Sequence, residues 1–151
     1  ADTGHLVIAT LHTTDALSAV SRIMDAYPEE RQRFIASQLA ASLLGVVCQY
    51  LLPKQEGAGL VLASELMVVN TGVAACIRDR RFSQIPGLMQ IGGADGMHTV
   101  DDSLLELVLD NRISLPDALS YCSDQNYFRQ HHQQALKEKK RQTWFGRFMG
   151  N

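Results

Sequence analysis

The chain mixes short uninterrupted apolar runs with longer stretches where apolar residues recur every three or four positions. Residues 6–11 (LVIATL) are of the first kind, and the pair Thr3-Gly4 supplies a turn before them. Such a run of β-branched and aliphatic residues predicts a buried strand. The polar cluster His12, Thr13, Thr14 and Asp15 follows. Thr14 or Asp15 predicts the N-cap of a helix carrying Ala16, Val20, Ile23 and Met24. Tyr27-Pro28 ends that helix, and Pro28 opens the next, with Glu29 and Glu30 favourably placed in its first turn. Ile35, Leu39, Leu43, Val46 or Val47, and Tyr50 then recur at helical spacing and predict one long helix with a buried stripe. Leu51-Leu52-Pro53, the glycine-bearing turn at 55–59 (QEGAG) and the run at 60–69 (LVLASELMVV) predict a β-hairpin with a longer loop.

Beyond Asn70 the pattern is helical. Thr71 is a candidate cap for a helix over 73–80, and a second helix runs from Phe82 or Ser83 towards Gln90 with Pro86 in its first turn. Gly92, Gly93 and Gly96 mark a loop. Thr99 and Asp102 form a capping-box-like pair ahead of Leu104, Leu105, Val108 and Leu109. Ser114 and Asp117 repeat that signal around Pro116, and a last polar helix covers about 123–141. Strands before Asn70 and helices after it predict an α/β chain divided at 1–70, 71–125 and a tail at 126–151.

The composition is that of a globular protein, with 46% hydrophobic and 20% charged residues among 151. No run of 18 apolar residues provides a membrane span, and no secretion signal opens the chain. Cys48, Cys76 and Cys122 lie far apart without a CxxC pair, so neither a disulfide framework nor a zinc ribbon is indicated, and a reducing cytoplasm fits. The net charge of −2 is unevenly placed: residues 1–125 hold eight basic and fifteen acidic side chains, residues 126–151 six basic and one acidic. A buried strand at 6–11 needs neighbours on both sides, which predicts the C-terminal part of a longer polypeptide. A natural N-terminal strand after Met removal is the alternative.

His5 and His12 bracket the first strand, seven residues apart. An odd offset places them on opposite faces unless residues 10–13 leave the strand and return His12 to the same edge. The plainer alternative is a turn-capping His5 and a hydrogen-bonded His12 at the core's edge. No HExxH occurs and no cysteine lies near either histidine, so a zinc site is not expected. His98 precedes a helix cap and is expected to face solvent, as are His131 and His132 in the polar helix. No GxxxxGK[ST], no GxGxxG after a strand and no strand-terminal acidic pair occurs; Glu65 lies inside its strand. The chain thus has no phosphate loop of its own. No GxSxG marks a nucleophile elbow. The run KEKKR (137–141), followed by Trp144, Phe145 and Phe148, sets cations beside aromatics. It reads either as a solvated helix end or as a surface for lipid headgroups or nucleic acid.

The string TGHLVIATLHTTDA (3–16) closely resembles the His box of the secretion-superfamily ATPases, the motors of type II secretion and type IV pili. Further segments match in order. LLGVVCQYLLPK (43–54) resembles the helix entering a Gln-x-Leu segment, and GLVLASELMVVNT (59–71) the strand after the hairpin. GADGMHTVDDSLLELV (93–108) resembles a Gly-Met-x-Thr helix start, and RISLPDAL (112–119) the helix after it. The last two look most like the pilus retraction branch. One departure stands out: VAACIRDRRF (73–82) keeps Ile77, Arg78 and Asp79 of the retraction helix but carries alanines and a cysteine in its first half.

The resemblance implies a partial RecA-like P-loop ATPase core followed by a C-terminal helical bundle. It implies the His-box portion of a hexameric ATP-driven motor of pilus retraction, with Walker A and Walker B elsewhere in the polypeptide. It places His12 and His5 at the catalytic site, supported by Thr10 and Thr13, with Ile77, Arg78 and Asp79 on a motor-specific helix. ATP and Mg²⁺ would serve the whole motor, with no tight binding by residues 1–151 alone. The partners implied are five further copies and an inner-membrane pilus platform protein, with no nucleic acid, at the cytoplasmic face of the inner membrane. The alternative is a non-enzymatic interaction module working through its basic tail.

Overall fold

The computed structural model describes Ala1 and residues 4–149, with side chains to Arg141 apart from Lys140. Thr3, Lys140, Trp144, Phe145 and Phe148, singled out above, lie outside the described side chains. The chain divides into two compact units, residues 1–50 with 64–99 and residues 51–63 with 100–151.

In the first unit α1 (Ala16–Asp25) starts at Asp15, whose carboxylate accepts the Ser18 N–H at 2.7 Å. Its apolar face buries Ala16, Ala19, Val20 and Met24. Helix α2 (Glu29–Ser42) follows Pro28 at its N-cap, which has no N–H and so removes one of the donors that a helix start leaves unpaired. It does not continue to Tyr50. Leu43 turns to an extended ψ of 124°, and Gly45–Pro53 form strand β1. Glycine followed by two valines favours a strand over a helix. The positions that suggested a helical stripe, 46 and 50, lie on the inner face of a strand that also carries Cys48 and Leu52. Strand β1 pairs with β2 (Leu60–Val68) in a two-stranded sheet, and β2 turns Val61, Ala63, Glu65 and Met67 inward.

Helix α3 (Thr71–Arg78) is capped by Asn70 rather than Thr71; the Asn70 Oδ1 accepts the Val73 N–H at 3.0 Å. A 3₁₀ turn at Phe82–Gln84 leads into α4 (Ile85–Ile91). The core of this unit gathers Ala16, Val20, Met67, Val73, Cys76, Ile77, Ile85, Met89 and Met97.

Residues 6–11 differ from the expected buried strand. They form no strand here, and their apolar side chains are exposed, Leu6 to 76% and Ile8 to 87%. A strand needs a ladder partner on at least one edge. Among the described residues the sheet holds only β1 and β2.

The second unit contains α5 (Val100–Leu109), α6 (Leu115–Tyr121), α7 (Gln125–Met149) and the outer part of the hairpin. Ser114 caps α6 through the Asp117 N–H, with Pro116 inside the first turn. The Gln55 N–H reaches the Arg112 carbonyl at 2.9 Å, fixing the hairpin loop within the unit. Leu52, Leu104, Ile113 and Phe128 are fully buried. Among the described residues no helix is long and apolar enough to cross a membrane.

Candidate functional site

Residues 4–15 carry most of the predicted site. His5, Thr10 and His12 are exposed on an irregular segment, and Thr13 is half-buried where that segment meets α1. The segment's C-terminal end is held at three backbone groups. The Arg22 guanidinium donates to the His12 carbonyl at 3.0 Å. The Tyr50 hydroxyl donates to the Thr14 carbonyl. The Ala16 N–H donates to the Glu65 carboxylate at 2.7 Å. Asp15 adds a local lock, accepting from the Ser18 hydroxyl at 2.7 Å and the Thr14 hydroxyl at 3.1 Å. The result is an exposed imidazole on a turn anchored by α1, β1 and β2.

Glu65 is the buried charged residue of this arrangement, only 7% exposed. Tyr50 and Glu65 have roles that the sequence pattern did not assign. Tyr50 was hidden by the helical reading of residues 43–50. Glu65 carried one signal, a single carboxylate at an inward position between Ala63 and Met67 on an otherwise apolar strand face. Burial and the nearby negative charges of Glu65 and Asp15 push the Cys48 thiol up to about 11. Cys48 is therefore a protonated core thiol and a poor nucleophile.

Ile77, Arg78 and Asp79 sit at the end of α3. Ile77 is fully buried in the first unit's core, whereas Arg78 and Asp79 are exposed. Asp79 pairs with Arg81 at 2.7 Å, an exposed contact of small energetic weight. His98 does not face solvent as its sequence position suggested. It is half-buried, with its Nε2 3.0 Å from the Ser64 Oγ and its backbone bridged to Leu66. The reason is tertiary: β2 recruits residue 98 as a one-residue ladder partner. His131 lies in α7 with its ring 4.0 Å from that of Tyr127.

A phosphate cradle needs several backbone N–H groups converging on an open concavity. The glycine-rich turn Gly92–Asp95 instead closes on itself, with Gly92 buried against Met97. Its Gly96 and Met97 N–H groups point back to the carbonyls of Gly93 and Gly92. That turn is no phosphate cradle, and among the described residues no group of three or more His, Cys, Asp or Glu is placed to hold a metal ion.

Comparison with known proteins adds the family. The family described as Type II/IV secretion system protein matches residues 1–96. The chain is 42% identical over 118 residues to a twitching motility protein of Neisseria gonorrhoeae, covering 78% of this chain and 31% of that protein. It is 39% identical over 118 residues to the type IV pilus retraction ATPase PilT of Pseudomonas aeruginosa, covering 78% and 34%. The crystal structure of the pilus retraction motor PilT with bound ADP superimposes with a TM-score of 0.74 at 36% identity, over 83% of this chain and 35% of that one. The ATPase DotB of Yersinia pseudotuberculosis shares the fold, with a TM-score of 0.67 at 20% identity over 80% and 31%. The chain thus spans about a third of the length of the curated relatives it matches. With residues 1–96 matched and retraction ATPases among its relatives, the chain belongs to the type II/IV secretion system protein family.

Proposed function

We propose that this chain is the His-box portion of an ATP-driven motor of type IV pilus retraction. The observation that supports it is the His12 turn: an exposed imidazole on a segment whose backbone is anchored by Arg22, Tyr50 and Glu65. An exposed side chain on a braced backbone suits a group that meets a ligand held by other residues. In this reading the phosphate loop, the Mg²⁺ ligand and the catalytic carboxylate lie elsewhere in the polypeptide. His12 supplies a hydrogen-bond donor where charge develops, His5 stands at the same box, and Thr10 and Thr13 orient the segment. Ile77 anchors the α3 helix while Arg78 and Asp79 present its motor-specific face. The working form is a homo-hexamer at the cytoplasmic face of the inner membrane, acting on a pilus platform protein.

ATP hydrolysis tests the reading. Residues 1–151 alone should show background turnover. In the complete motor, His12→Ala should lower turnover about 10²-fold, the scale of one lost transition-state donor, with the fold unchanged by circular dichroism. Turnover by the isolated chain, or a fully active His12→Ala motor, would remove the proposal.

A further inference from the structure

We propose that Glu65 is a positioning residue that sets the place of His12, rather than a buried carboxylate serving the core. The inference rests on the His12 reading for its functional meaning, and on the geometry of this chain for its substance.

The argument begins with α1. A helix leaves its first N–H groups without intrahelical partners. Asp15 satisfies the donor at the third helical position, Ser18. An N-cap side chain reaches the second or third position and leaves the first, Ala16, unserved. Glu65, 49 residues away in sequence, accepts that N–H at 2.7 Å from inside β2. An apolar side chain at position 65 would match Val61, Ala63 and Met67 on the same face, whereas a carboxylate there loses its hydration. What the carboxylate brings is direction: a charge-assisted bond fixes where α1 starts relative to β2.

That starting point lies four residues after His12. The intervening backbone has little freedom left, because Tyr50 from β1 holds the Thr14 carbonyl and Arg22 from α1 holds the His12 carbonyl. Releasing Ala16 removes the bond that ties the start of α1 to Glu65 in β2, and the segment before it then pivots with α1. The exposed imidazole follows that backbone.

Amide hydrogen exchange and the His12 ring signals in NMR spectra of the 151-residue chain decide the matter without any ATP chemistry. Glu65→Gln keeps an oxygen acceptor and should leave Ala16 exchange and the His12 signals near wild type. Glu65→Met keeps the length and removes the acceptor; Ala16 exchange should quicken at least tenfold and the His12 signals should shift or broaden. Ala63→Gly, a control at the neighbouring inward position, should lower the urea midpoint and leave the His12 signals in place. If Glu65→Met does not fold, Glu65→Asp, one methylene shorter, carries the same expectation. Wild-type His12 signals in a folded Met or Asp variant, or the same shift in Ala63→Gly, would overturn the proposal.

In the complete motor, Glu65→Met should lower kcat with KM unchanged, Glu65→Gln should restore it, and adding Glu65→Met to His12→Ala should cost nothing more. Should His12→Ala prove silent in that assay, the motor role of His12 falls, and the exchange result still decides whether Glu65 positions it.

Discussion

Asp15 and Glu65 each accept one of the donors that open α1, Ser18 from the cap and Ala16 from β2. Asp15→Ala should therefore cost about 1 kcal/mol of stability, while Asp15→Asn keeps most of it, as read from urea unfolding. Cys48 gives a pH-dependent counterpart. Its folded-state value of about 11 lies above the ordinary 9.0, so the unfolded chain releases the thiol proton first. The stability tied to this thiol is whole below pH 9 and is lost as pH rises towards 11. Cys48→Ala should flatten that decline, and the native thiol should resist iodoacetamide at pH 8 compared with the urea-unfolded chain. Asp101 shows the same sign at acidic pH, because burial raises its carboxyl against the opposing bond from the Ser123 N–H.

Among the elements, the boundary between α2 and β1 carries the most information. Apolar residues at 46 and 50 satisfy a helical and a strand period at once, so spacing cannot separate the two. Gly45 separates them in space. A Cβ there would lie 2.8 Å from the Met67 carbonyl oxygen, a backbone atom of the opposing strand that has nowhere to go. Gly45→Ala should destabilise the hairpin by about 1–3 kcal/mol, measured as a lower urea midpoint. In the second unit α7 is polar along most of its length, yet it buries Phe128 completely. Phe128→Ala should cost about 3–5 kcal/mol, the usual range for a fully buried aromatic. By contrast the Lys139–Asp110 pair, at 3.8 Å and exposed, should contribute little.

At the scale of the molecule, the chain exposes an apolar segment that solvent does not favour. Leu6, Val7 and Ile8 are each more than half exposed, and their backbone lies in no ladder. Extended, β-branched and unpaired segments recruit other chains edge to edge. The isolated chain should self-associate through residues 6–11, and Ile8→Lys should lower the concentration dependence of light scattering. The charge division between an acidic body and a basic tail should make that association sensitive to salt at low ionic strength.

Sequence alone determined much of this protein. The start at Pro28, the Ser114 cap and the two-glycine hairpin loop are local devices written in a few adjacent residues, and the cap of α1 was narrowed to Thr14 or Asp15, of which the structure uses Asp15. The string at 3–16 likewise stands in fourteen consecutive positions and was legible as a resemblance to the secretion-superfamily ATPases. Tertiary structure alone decided the rest. It resolved the α2–β1 boundary, where the local Gly45-Val46-Val47 preference for a strand is completed by pairing with β2, and left residues 6–11 irregular because no described strand pairs with them. It turned His98 inward and brought Glu65 to Ala16 and Tyr50 to Thr14, across 49 and 36 positions of chain. Contacts of that span depend on where whole elements pack, and neither periodicity nor spacing encodes them.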